Sequence, residues 1–115
     1  MLIANTTRGT TLATGARQAK GFLARGRGLM FTARLSEGEG LVIEPCSSIH
    51  MFFMNFPLDV LFADRQGRVL FMYRGIKPWR VGRLVRGARM AIELPTGSIE
   101  RTGTEVGDQL KLTNE

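Results

Sequence analysis

Four residue types that usually carry site chemistry are nearly missing. The 115 residues include one cysteine, one histidine, one tryptophan and one tyrosine. A single cysteine, Cys46, excludes an intrachain disulfide framework and a cysteine-rich zinc site, and it fits a reducing compartment or a small apolar position. A single histidine, His50, means that any imidazole acid–base step must use that residue. Long apolar runs are absent too. None approaches the roughly 18 residues that a membrane-spanning helix needs, and the opening stretch Met1-Leu2-Ile3-Ala4-Asn5-Thr6-Thr7-Arg8 lacks the charged-then-apolar pattern of a signal peptide. These features predict a cytoplasmic chain with no membrane partner. A length of 115 residues fits one domain, residues 1–115, with a core of its own.

Charge is abundant but segregated. The net charge is +6, with sixteen basic and ten acidic side chains. Residues 1–34 carry six basic and no acidic side chains, and residues 35–64 carry five acidic and no basic ones. Residues 65–90 then carry eight basic and no acidic ones. Such blocks build a positive patch for an anionic ligand, or else a solvated surface whose blocks pair across strands.

Fourteen glycines and four prolines divide the chain into short segments, as in an all-β domain with many turns. Strands are expected at Leu2–Asn5, Thr10–Ala13, 41–43, 49–54, Leu58–Ala63, 69–73, 88–94 and 109–112. Thr14 as a cap, with Ala19, Phe22 and Leu23 on one face and Gly26 as the stop, predicts a helix over 16–25. Asp64-Arg65-Gln66-Gly67 reads as a type I turn. Residues 95–102 read as a short helical turn with Ile99 inward. The expected fold is mostly β: a compact antiparallel barrel or sandwich of about eight short strands with one short N-terminal helix.

The stretch Ile49-His50-Met51-Phe52-Phe53-Met54-Asn55-Phe56-Pro57-Leu58-Asp59-Val60-Leu61-Phe62-Ala63-Asp64 is followed by Gly67-Arg68-Val69. Gly28-Leu29-Met30 stands upstream, and Ile92-Glu93-Leu94-Pro95-Thr96-Gly97 and Val106-Gly107-Asp108 stand downstream. In this order the segments resemble the bacterial and archaeal family known as domain of unknown function 192. The resemblance implies a compact β fold. It supplies no accepted activity, cofactor or catalytic residue. Many members carry Trp-Met before an Asn-Thr pair, where this chain has a strand led by His50.

Asp59 is the first candidate for chemistry. Leu61 and Ala63 share its face of the strand, while Leu58, Val60 and Phe62 line the other, so the strand is expected to be buried on both sides. A carboxylate there must be hydrogen-bonded, paired or shifted in pKa. It is either a ligand-binding acid or a structural group that accepts backbone N–H bonds. Glu93 alternates with Ile92 and Leu94 and is expected to reach the cavity of Asp59. His50 shares that face if residues 54–57 form a four-residue hairpin loop, and lies opposite if the loop is 55–57. The run Met51-Phe52-Phe53-Met54 reads as core, and any exposed part of it would mark a binding surface. Arg80, Arg83, Arg86 and Arg89 beside Trp79 form the densest basic stretch.

The leading expectation is a non-enzymatic binding or accessory module. A small pocket would hold Asp59 and Glu93, with His50 near it and Arg80 and Arg83 at its rim, and would take an anionic or polar ligand. A small acid–base or hydrolytic enzyme using Asp59 and Glu93 is the alternative, with nucleic-acid binding through the arginine-rich segments behind it. No residue spacing calls for a cofactor or metal, and the expected state is a monomer or weak dimer.

Overall fold

The computed structural model describes residues 1–19 and 34–114. Strands β1 (Leu2–Asn5), β2 (Thr10–Ala13) and β8 (Leu110–Thr113) form a three-stranded sheet in the order β2-β1-β8. Strands β3 (Gly15–Ala19), β4 (Glu39–Ile43), β7 (Met90–Leu94), β5 (Leu58–Ala63) and β6 (Val69–Ile76) form a five-stranded sheet in that spatial order. One short helix among the described residues, α1 (Ser98–Thr102), joins β7 to β8. The mostly β expectation holds, as does the inward placement of Ile99, which is 1% exposed.

Three expectations are corrected. Gly15–Ala19 is a strand, not the start of a helix over 16–25, and the short helix lies late in the chain. Ala16 and Ala19 have helical spacing and are both buried, but they pack in different core clusters on opposite faces of the sheet. The helix propensity of Ala16-Arg17-Gln18-Ala19 yields there to ladder pairing with β4, since tertiary context overrides local preference. Residues 20–25 of that expected helix, and the Gly28-Leu29-Met30 segment, lie outside the described residues. The sheet is not wholly antiparallel, because β3 and β4 run parallel.

The third correction concerns 49–54, which is not a strand of either sheet. Its backbone pairs with a second loop instead: Met51 N–H donates to Arg80 O at 2.7 Å, Trp79 N–H to Met51 O at 2.7 Å and Gly82 N–H to Ile49 O at 2.8 Å. His50 and Val81 form an isolated antiparallel bridge, and Phe53 at φ 60° ends any extended run. Both hairpin registers considered for 49–63 are therefore absent, since β5 pairs with β6 and β7.

The two faces of the five-stranded sheet are covered differently. On one, Val42, Leu61, Ala63, Ile92 and Leu94 pack with Ile3 and Leu12 of the small sheet and with Ile99 of α1. On the other, Leu41, Ile43, Val60, Phe62 and Ala91 pack with Ile49, Met51, Met54 and Val85 from the connecting loops. The Asp64–Gly67 turn forms as expected, with Asp64 Oδ1 accepting from Gln66 and Arg68 N–H. Gly67 is required there: it has φ +87°, and a Cβ would stand 2.6 Å from Leu110 O.

Candidate functional site

Asp59 sits in a strand buried at every position, as its pattern predicted. Its Oδ1 accepts from Gly75 N–H and its Oδ2 from Ile99 N–H, each at 2.9 Å. Gly75 has φ +68° and lies where the register between β5 and β6 slips. Ile99 lies in the first turn of α1. One carboxylate thus fixes a bulge and a helix start by satisfying two backbone donors, the structural of the two roles the sequence allowed. The shallow cleft beside it, about 210 Å³, is lined by Arg74, Gly75, Thr96, Gly97 and Glu100. Arg80 and Arg83 do not border it.

Glu93 does not join Asp59. Directly paired residues share a face, and the β5–β7 register pairs Asp59 with Leu94 but Val60 with Glu93. Asp59 therefore projects toward the small sheet and Glu93 toward the loop-covered face. The row through Glu93 reads Arg17, Leu41, Glu93, Val60, Tyr73 across the five strands. Its immediate cross-strand neighbours are thus apolar, and exposed Arg17 stands two strands away, about 10 Å. Glu93 is 3% exposed, and its Oε1 has no hydrogen-bond partner among the described residues. Burial alone pushes its carboxyl up to about 7. With the two carboxylates on opposite faces, acid–base work shared between them has no geometric basis.

His50 lies in the loop layer on the Glu93 side, so it shares no site with Asp59. Its Nδ1 accepts from Phe52 N–H at 3.2 Å, and its ring stands 5.1 Å from that of Phe52. Phe52 in turn meets Trp79 at 6.0 Å, and Trp79 meets Phe53 at 5.0 Å. These side chains are not core. Phe52 is 40% exposed, Phe53 47% and Trp79 58%. Phe53 and Trp79 both have positive φ, 60° and 67°, a strained choice for bulky residues that keeps their rings together at the surface. Val81, opposite His50 in the bridge, and Leu84 are also exposed. Five of the six large apolar side chains exposed among the described residues stand on these two loops, which makes them a patch rather than scattered surface.

Cations edge this patch. Lys77, Arg80, Arg83 and Arg86 are exposed, and among the described residues none of them makes an ion pair, unlike Arg89, which reaches Glu44 at 3.5 Å. The Arg83 guanidinium lies 4.9 Å over the Phe71 ring, while the backbone N–H of Arg83 donates to the Tyr73 hydroxyl at 2.8 Å. Of the five candidate residues, the structure brings His50, Arg80 and Arg83 to one loop layer, puts Glu93 on the face beneath it and sets Asp59 apart.

A polar knot joins Asp108, the end of the Val106-Gly107-Asp108 segment, to residues that no sequence motif singled out. Asn5 Nδ2 donates to Thr104 Oγ1 and Asp108 Oδ2 at 3.0 and 2.9 Å, and Arg8 Nε donates to Asp108 Oδ2 at 2.9 Å. The Arg8 hydrogen bond leads in holding the Asp108 carboxyl down at about 2, joined by those from Asn5 and Glu105 N–H. These bonds tie the end of β1 to the turn before β8, about a hundred residues away, and nothing in local spacing signals them. All of these polar atoms are matched, so the knot reads as structural.

The comparisons agree with the fold. The DUF192 family of uncharacterised proteins matches residues 3–112. A UPF0127 protein of Thermococcus sibiricus is 33% identical over 113 residues, which is 95% of this chain and 73% of that one. Another, from Pyrococcus furiosus, is 33% identical over 93% of this chain and 94% of its own length. A crystal structure of a protein of unknown function from Novosphingobium aromaticivorans superposes with a TM-score of 0.75 at 24% identity, covering 84% of this chain and 74% of that one. On the match to residues 3–112 and these relatives, the chain belongs to the uncharacterised DUF192 family.

Proposed function

We propose that the chain is a non-enzymatic binding module that takes an anionic ligand on its loop-covered face, not at Asp59. The observation that carries this reading is the exposed Phe52–Trp79–Phe53 cluster, containing two positive-φ residues and flanked by exposed Lys77 and Arg80, which make no ion pair among the described residues. Apolar rings and cations side by side suit a ligand with both an anionic and an apolar part. Asp59 is spent on two backbone donors and offers such a ligand nothing. The packing of the small sheet over one face of the large one supports a sandwich-like arrangement rather than a closed barrel. Cys46 as the only cysteine supports a cytoplasmic setting.

Trp79 is the only tryptophan, so its emission reports on this face alone. Titration with inorganic polyphosphate and with nucleotides at low ionic strength is expected to change that emission and raise the melting temperature. Added salt should reverse both effects, and Arg80→Ala should weaken them. A chain whose emission and melting temperature ignore every anion tested, whether free in solution or carried on a vesicle, would overturn the reading.

A further inference from the structure

The binding face carries more apolar surface than a phosphate contact requires. The loop of Trp79 also exposes Val81, at 68%, and Leu84, at 63%. Val81 opposes His50, whose ring meets Phe52, so Val81, His50, Phe52, Trp79 and Phe53 form one continuous ridge. The rings are tilted 39° and 61° to one another, so they present edges rather than parallel shelves for stacked bases. Aliphatic side chains add nothing to base stacking, but they gain from entering hydrocarbon. Lys77, Arg80, Arg83 and Arg86 occupy the same loop, exposed and without ion pairs among the described residues. An apolar ridge edged by cations matches the boundary where anionic headgroups meet acyl chains. Tryptophan at that depth keeps its indole N–H near the wet headgroups while its ring is buried.

We infer that this ridge docks on an anionic membrane surface, with Phe52, Phe53 and Trp79 entering the headgroup–acyl boundary while Lys77 and Arg80 meet lipid phosphates. The inference rests on the binding-face reading above and names its ligand. It departs from the expectation of no membrane partner, which rested on the lack of a spanning run. Surface docking requires none, and no helix among the described residues is long and apolar enough to cross a bilayer.

The test mixes the full chain with vesicles of phosphatidylcholine alone or of an equimolar mixture with phosphatidylglycerol, and follows Trp79 emission. The mixed vesicles should shift the emission to the blue and carry the protein down on sedimentation. The neutral vesicles should do neither, and salt should release the protein. Lys77→Ala and Arg80→Ala should each weaken partitioning roughly fivefold. Phe52→Ser with Phe53→Ser should remove the blue shift, leaving the reporter in place and the urea midpoint nearly unchanged. No blue shift with mixed vesicles overturns the membrane assignment. If oligodeoxythymidine then quenches Trp79, or polyphosphate perturbs it, the anionic-ligand reading survives with a soluble ligand. If neither responds, both readings fall. Emission that is already blue-shifted without lipid, and that depends on protein concentration, would assign the ridge to a second copy of the chain and also overturn the proposal.

Discussion

The five-stranded sheet carries one buried carboxylate on each face, and the fold treats the two in opposite ways. Asp59, facing the small sheet, has each oxygen occupied by a backbone N–H. Glu93, facing the loops, has an oxygen with no partner among the described residues. The Asp59 side is closed by strands and a helix with regular pairing. The Glu93 side is closed by irregular loops that bury Ile49, Met51 and Met54 and expose Phe52, Phe53 and Trp79. One face is therefore built to hold the chain together. The other holds only as tightly as its loops allow, and it carries the apolar and cationic groups that a ligand can use.

The largest expected effect lies on the satisfied face. Asp59→Ala leaves the N–H groups of half-buried Gly75 and buried Ile99 without their acceptors, a loss of about 3 kcal/mol. Urea unfolding should register it, and Asp59→Asn, which keeps one acceptor oxygen, should cost less. A small loss in the alanine variant would mean that the two faces differ less than their hydrogen bonds indicate.

Glu93 sharpens the comparison through pH. Its folded carboxyl titrates at about 7 against an ordinary value of 4.5, so over that range the folded chain keeps a proton that the unfolded chain has released. Stability should fall as pH rises from about 4.5 to about 7, by up to roughly 3 kcal/mol, and then level off. Asp108 acts in the opposite sense and in a lower window: its contribution is present above about 4 and is lost as pH falls toward 2. Urea midpoints at pH 5 and pH 8 separate the two. Glu93→Gln should flatten the slope between them and gain most at pH 8. An unchanged slope would show that Glu93 does not stand alone.

The smallest effects on stability belong to the exposed loops. Lys77→Ala and Arg80→Ala should stay within about 0.5 kcal/mol of the parent chain, as surface substitutions do, while still weakening ligand binding.

Alternation within Leu58–Ala63 makes both apolar faces, and the need to satisfy Asp59, legible in the sequence, since strand periodicity is local. The Asp64–Gly67 turn and the inward Ile99 are legible for the same reason. Which backbone donors satisfy Asp59 is not, because Gly75 and Ile99 come from elements brought near by long-range pairing. The separation of Glu93 from Asp59 depends on a β5–β7 register that neither strand states alone. The loop at 49–54 misleads for a further reason. An apolar run has the composition of a core strand whether its side chains point in or out, and here Met51 and Met54 are buried while Phe52 and Phe53 are exposed. The exposed ridge, the main functional clue, is therefore the least legible part.

Amide hydrogen exchange with and without anionic vesicles tests the division between the two faces most directly. Added protection is expected at Met51, Trp79 and Gly82, whose amides pair the two loops, with no change at Gly75 and Ile99. Protection that appears at Gly75 and Ile99 and spares the loops would contradict that division and return the site to Asp59.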